Sequence, residues 1–180
     1  MPNFSGIWNL KEQVQAIAAG RWTGLPAFEL YAWGDNVQGE LGQGNVISRS
    51  SPVQVGALTN WAQVSAGGAF VACTTTAGTL FTWGNNNRGQ LGHGNSVRRS
   101  SPVQVGALTN WAQASAGSDS AACTTTAGTL FTWGNGANGR LGHGNVISRS
   151  SPVQVGALTN WAQASAGNDH TLAILQGVTS

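Results

Sequence analysis

A 50-residue period runs through the chain and limits its possible folds more than any other feature. SSPVQVGALTNWAQ begins at Ser50, Ser100 and Ser150, and CTTTAGTLFTWGN begins at Cys73 and Cys123. A chain that copies itself this closely builds one supersecondary unit again and again, and each unit buries its apolar face on its neighbours. Three copies fill residues 31–80, 81–130 and 131–180, and residues 1–30 precede them as a separate segment. Trp33, Trp83 and Trp133 share one phase of the period, and Trp61, Trp111 and Trp161 share another. These six large rings bury much apolar area at little entropic cost, so they are the expected core anchors.

Within one period, turn-forming residues cut the chain into pieces of strand length. Thr79 to Trp83 reads as a strand, and the Gly-rich stretch Gly84 to Gly94 as a long loop. Val103 to Val105 follows a Pro that suits a strand entry or a sheet edge. Trp111 to Ala116 and Ala121 to Thr126 complete the set before the turn at Ala127 and Gly128. Four short antiparallel strands per 40 to 50 residues is the period of a propeller blade. Charged residues are only 8% of the chain while Gly fills 26 positions, a balance that favours turn-rich β structure. The expected fold class is therefore all-β, with three four-stranded antiparallel propeller-type blades forming a partial β-propeller behind a short N-terminal helical segment. A β-solenoid is the alternative, although its repeats are usually shorter and more regular.

The segments YAWGDNVQGELGQG at Tyr31, FTWGNNNRGQLGHG at Phe81, the SSPVQV that follows, and AGNDHTLAI at Ala166 resemble the regulator of chromosome condensation repeat. The resemblance covers roughly residues 30–175, and it implies propeller blades, usually seven. This chain has three. The His of that family's G-x-x-H-T segment occurs here as His170, while Phe70 and Ser120 replace it in the other copies. The family includes a nucleotide-exchange factor and many scaffolds, and fold does not carry activity with it.

Residues 1–30 differ in kind. Asn9 is placed to cap a helix from Leu10 to Ala19, with Gly20 as terminator. Trp8, Leu10, Val14, Ile17 and Trp22 are candidate docking residues. The arrangement resembles the opening segments of some bacteriophage tail and fibre proteins; a helix packed on the open end of the first blade is the alternative.

Little in the chain is suited to catalysis, which needs unlike groups converging in one pocket. His93 and His143 occupy one place in successive repeats, where the first copy has Gln43, so they read as loop residues and not as a zinc ligand set. Cys73 and Cys123 correspond to Ala173, which marks a buried small-residue position with free, inert thiols. Asp119 and Asp169 follow Gly in turns, and no suitably placed Ser makes a triad of Asp169 and His170. Gly84 to Gly94 lacks the Lys-Ser/Thr ending of a phosphate loop. The copies differ mainly in stretches 35–40, 85–90 and 135–140, at 46–48 with its counterparts, and just after Gly67, Gly117 and Gly167. Loops on a rigid scaffold commonly carry binding, which makes Asn36, Gln38, Asn86, Arg88, Asn138 and Arg140 the candidate loop-binding residues.

A net charge of +2 gives no basic patch for nucleic acid, and no stretch approaches the roughly 18 apolar residues of a membrane span. The N-terminus lacks the pattern of a cleaved signal. The expectation is a non-enzymatic structural or protein-binding repeat protein without catalytic residues, cofactor or metal. Its expected setting is a bacteriophage virion, as a fibre, tail or capsid-decoration component anchored by residues 1–30. The alternative is a cytoplasmic interaction scaffold of the chromosome-condensation-repeat type. Three blades leave two open ends, so the expected partners are further copies of the chain and, in a virion, other virion proteins.

Overall fold

The structure is a computed structural model and describes residues 28–177. The helix expected over Leu10 to Ala19, with Trp8, Val14, Ile17 and Trp22, lies outside the described residues. Twelve strands follow in chain order: β1 Tyr31–Gly34, β2 Arg49–Gln54, β3 Trp61–Ala66, β4 Phe70–Thr75, β5 Leu80–Gly84, β6 Arg99–Gln104, β7 Trp111–Ala116, β8 Ser120–Thr125, β9 Leu130–Gly134, β10 Arg149–Gln154, β11 Trp161–Ala166 and β12 Thr171–Leu175. The expected strands appear within a few residues. The strand expected at Val103 to Val105 begins earlier, at Arg99, because a bulge opposite Thr82 and Gly84 lets it run further along β5.

Strands β3 to β6 form one antiparallel blade in that order, and β7 to β10 form a second. The ends hold two half-blades, β1 with β2 and β11 with β12. Two complete blades and two halves thus stand where three complete blades were expected. The sequence period and the blade are out of phase: a blade begins at Trp61 or Trp111, thirty residues into a repeat counted from Tyr31 or Phe81. Strand β6 is the outer edge of its blade, which is why Pro102 is accepted there without a lost ladder bond.

Every residue of β4 and of β8 is buried. A strand covered on both faces loses the in-out alternation of a half-exposed one, and Ala, Cys, Thr and Ser keep it thin enough for blades to stack closely. Blades are joined at the inner strands, where Gln63 Oε1 accepts from Ala114 N at 2.8 Å and Ser65 Oγ from Ala116 N at 3.0 Å. One period on, Gln113 and Ser115 accept from Ala164 N and Ala166 N in the same way. The approach is so close that a Cβ on Gly67 would lie 2.2 Å from the Gly117 carbonyl oxygen, and one on Gly117 would lie 2.4 Å from that of Gly167. Only glycine fits at these two places.

The tryptophans divide by position. Trp83 and Trp133 are fully buried, and their Nε1 atoms donate to the carbonyls of Glu40 at 2.7 Å and Gln90 at 2.8 Å, tying each blade to the loop of the one before. Trp61 and Trp111 pack edge-on against Phe81 and Phe131 at 5.5 and 5.3 Å between ring centroids. Trp161 is half-buried. Trp33, expected in the core, is 60% exposed, because no blade precedes it among the described residues.

Candidate functional site

The loops at 35–48, 85–98 and 135–148 join the third and fourth strands of successive blades and line one rim. Asn86 organises its loop from within: its Nδ2 donates to the carbonyls of Asn95 and Val97, both at 3.0 Å, and its Oδ1 accepts from Leu91 N at 3.0 Å. Asn36 repeats this with Asn45, Ile47 and Leu41. Both side chains are fully buried, so Asn36 and Asn86 clamp the loop and offer no binding surface. The third copy has Gly136 there, and its loop has closed into the space, with the Ile147 carbonyl oxygen 2.3 Å from where a Cβ would sit. A 3-10 turn over Ala137–Gly139 accompanies this closure, and Asn138 takes a left-handed φ of 59°.

Gln38 is half-buried, whereas Arg88 and Asn138 are exposed on the rim. Arg140 is buried. Its Nη2 forms an ion pair with Asp169 Oδ1, its Nη1 donates to the Asn168 carbonyl at 2.7 Å, and its Nε donates to the Ala137 carbonyl at 3.0 Å. Arg140 therefore fastens a loop to the next half-blade. Gln90 makes the weaker equivalent with Asp119 Oδ1 at 3.4 Å. In the first copy Glu40 stands 29 residues before Ala69, so the two positions vary together. That paired variation was the available signal for this contact, and reading each position separately missed it.

Chemistry is sparse around these loops. Thr82 Oγ1 donates to the Leu91 carbonyl at 2.7 Å, which spends its proton, so His93 Nε2 at 3.1 Å is the donor to that hydroxyl. His143 and Thr132 repeat the pair at 3.0 Å. Burial, joined by the charge of Arg99 and only partly offset by a backbone contact at Thr82, holds the His93 pKa below its usual 6.5. Cys73 and Cys123 are free and buried, and burial pushes both thiols up to about 12, against the nucleophilic thiolate form. The Asp169 carboxylate is engaged by Arg140, and His170 lies exposed beside the Gly167 turn. Among the described residues no three His, Cys, Asp or Glu side chains come together to hold a metal ion, and no helix is long and apolar enough to cross a membrane.

What the rim does present is apolar. Val46 with Ile47, Val97, and Val146 with Ile147 are exposed at one place in each of the three loops. Val37 is exposed beside them, and its carbonyl accepts from Arg98 Nη1 of the next loop at 3.2 Å, joining adjacent tips. Candidate residues chosen for differing between copies thus include buried clamps, while these apolar tips lay in the variable stretch 46–48 and its counterparts without being singled out.

Two solved structures share this architecture. Prp20p from Saccharomyces cerevisiae, described with its binding to Gsp1p and histones, superposes with a TM-score of 0.73 at 18% identity, covering 81% of this chain and 39% of its own. Yeast RCC1 (Prp20) bound to Kap60 superposes at 0.68 with 20% identity, covering 82% and 38%. At these identities the likeness is one of fold, and the chain spans about two fifths of the length of either. No curated protein matches in sequence. The model of the regulator of chromosome condensation (RCC1) repeat matches at residues 29–74, 77–124 and 127–174, and a second model of that repeat matches at 61–90. With most of its length inside those three matches, the chain belongs to the RCC1 repeat family.

Proposed function

We propose that this chain is a non-enzymatic protein-binding module, an interaction scaffold of the RCC1-repeat type whose partner docks on the loop rim. The observation that carries the reading is the exposed apolar tip repeated in each of three rigid loops, Val46 with Ile47, Val97, and Val146 with Ile147. Apolar side chains held out at one place in each of several neighbouring loops on a sheet scaffold suit an interaction surface. That the two structures above are described with protein partners supports a protein ligand of some kind. Their particular partners do not transfer, and neither does nucleotide exchange, because activity resides in a site and not in a fold. Action in the cytoplasm belongs to this scaffold reading. A virion component anchored by residues 1–30 draws on nothing in the described residues, and the matches favour the scaffold.

Replacing Ile47, Val97 and Ile147 together by Asp tests the reading. Affinity purification of the tagged chain from its own source, quantified by mass spectrometry, recovers a partner with the wild type and loses it with the triple variant, while the two melt alike by circular dichroism. Equal recovery by both would place binding elsewhere.

A further inference from the structure

The two half-blades are complementary parts of one blade. A complete blade runs β7-β8-β9-β10 from inner to outer strand. Shifted by one or two periods, β11 and β12 are the first and second strands of that order, and β1 and β2 are the third and fourth. We propose that β12 of one chain pairs with β1 of a second copy, so that two chains close head to tail into a six-bladed ring containing two composite blades.

The internal blade predicts the seam residue by residue. Strand β8 pairs with β9 through Ala121 opposite Trp133, Ala122 opposite Thr132, and Cys123 opposite Phe131. The period carries this to Thr171 opposite Trp33, Leu172 opposite Ala32, and Ala173 opposite Tyr31 of the second copy. The end strands have changed together: where both intact blades set Ala against Thr, the seam sets the larger Leu172 against the smaller Ala32. Leu172 and Ile174 on one side, and Tyr31 and Trp33 on the other, are large apolar side chains exposed in the single chain. Trp83 and Trp133 donate to carbonyls 43 residues earlier, and the corresponding acceptor for Trp33 is the Arg140 carbonyl of the second copy.

The inner strands agree. Gln163 and Ser165 are exposed and accept nothing from the described residues, although their counterparts Gln63, Ser65, Gln113 and Ser115 all accept from the next blade. Across the seam they face the backbone N–H groups of Val64 and Ala66. Val64 is 57% exposed, whereas Ala114 and Ala164 at its place are each 3% exposed. The number of copies follows from closure. Residues 28–177 contribute three blades, rings of about four to eight blades are the stable range, and for a ring built from these residues two copies are the only multiple that falls in it. Closure also covers the edges of β1 and β12 that are unpaired among the described residues and otherwise invite open-ended pairing.

Light scattering of the full chain at micromolar concentration reads the outcome, independently of any loop-rim partner. The expected mass is twice 18.5 kDa. Leu172→Cys combined with Ala32→Cys sets two thiols opposite each other across the seam, and on oxidation gives a covalent dimer on a non-reducing gel that neither single variant gives. Trp33→Ala removes an anchor that is exposed in the single chain, so it leaves the circular dichroism unchanged and raises the dimer dissociation constant roughly tenfold or more. A folded monomer overturns the proposal, as does a trimer or larger assembly. A dimer that the cysteine pair does not lock and Trp33→Ala does not weaken overturns it too.

Discussion

His93 and Gln43 occupy the same place in their repeats and bridge the same gap with different neighbours. Where the strand offers Thr82, the His donates to its hydroxyl. Where it offers Ala32, the Gln reaches the carbonyls of Leu41, Val53 and Gln54 instead. Both side chains therefore pin a loop to the blade. The histidine brings a pH dependence. Its folded pKa lies below 6.5, so between the two values the unfolded chain binds the proton more readily than the folded one. Stability is intact above 6.5 and falls as pH drops through that window. Thermal melts from pH 7.5 to 5 should show a falling midpoint, and His93→Gln should flatten part of that fall; an unchanged slope would mean that His93 is not held neutral by the fold.

At the scale of the element, the long loop is as well built as the strands it joins. Asn86 supplies one acceptor and two donations from within, and Leu91 N has that side chain as its partner. Asn86→Ala strands a buried N–H and is expected to cost roughly 1–3 kcal/mol in chemical denaturation. No measurable loss would show that the loop can close as the third copy does around Gly136. The loop's position and length were legible from its glycines, and its tendency to vary was legible from the three copies. The inward aim of Asn36 and Asn86 was not, because a variable polar residue in a Gly-rich stretch reads alike whether it points to water or folds back on its own carbonyls. Arg140 raises the same difficulty, since its partner Asp169 lies one half-blade away in space.

The whole molecule behaves as a stack of neighbours, and the effect of a substitution depends on where in the stack it falls. Trp111 in the second complete blade is buried against Phe131 and Trp133. Trp111→Ala is expected to cost roughly 3–5 kcal/mol in urea unfolding. Trp161, the same residue in the same local sequence, is half-buried in the single chain because its half-blade is incomplete, so Trp161→Ala should cost less than half as much at concentrations too low for two copies to associate. Equal losses in the monomer would show that the last half-blade is covered within the single chain as fully as the second blade.

The repeat by itself determined the strands, their turns and their propeller kinship, because these follow from local residue types recurring every 50 positions. Only the tertiary structure decided where a blade begins. Hydrogen-bonded neighbours are set by pairing across the chain, and the same period is equally consistent with a cut at Tyr31 or at Trp61. Trp33, Trp83 and Trp133 show the difference most plainly. All three stand before Gly in the same strand, and two are buried while the first is exposed. The ring buries when a neighbouring blade lies over it, and no local stretch of sequence records whether that neighbour is present.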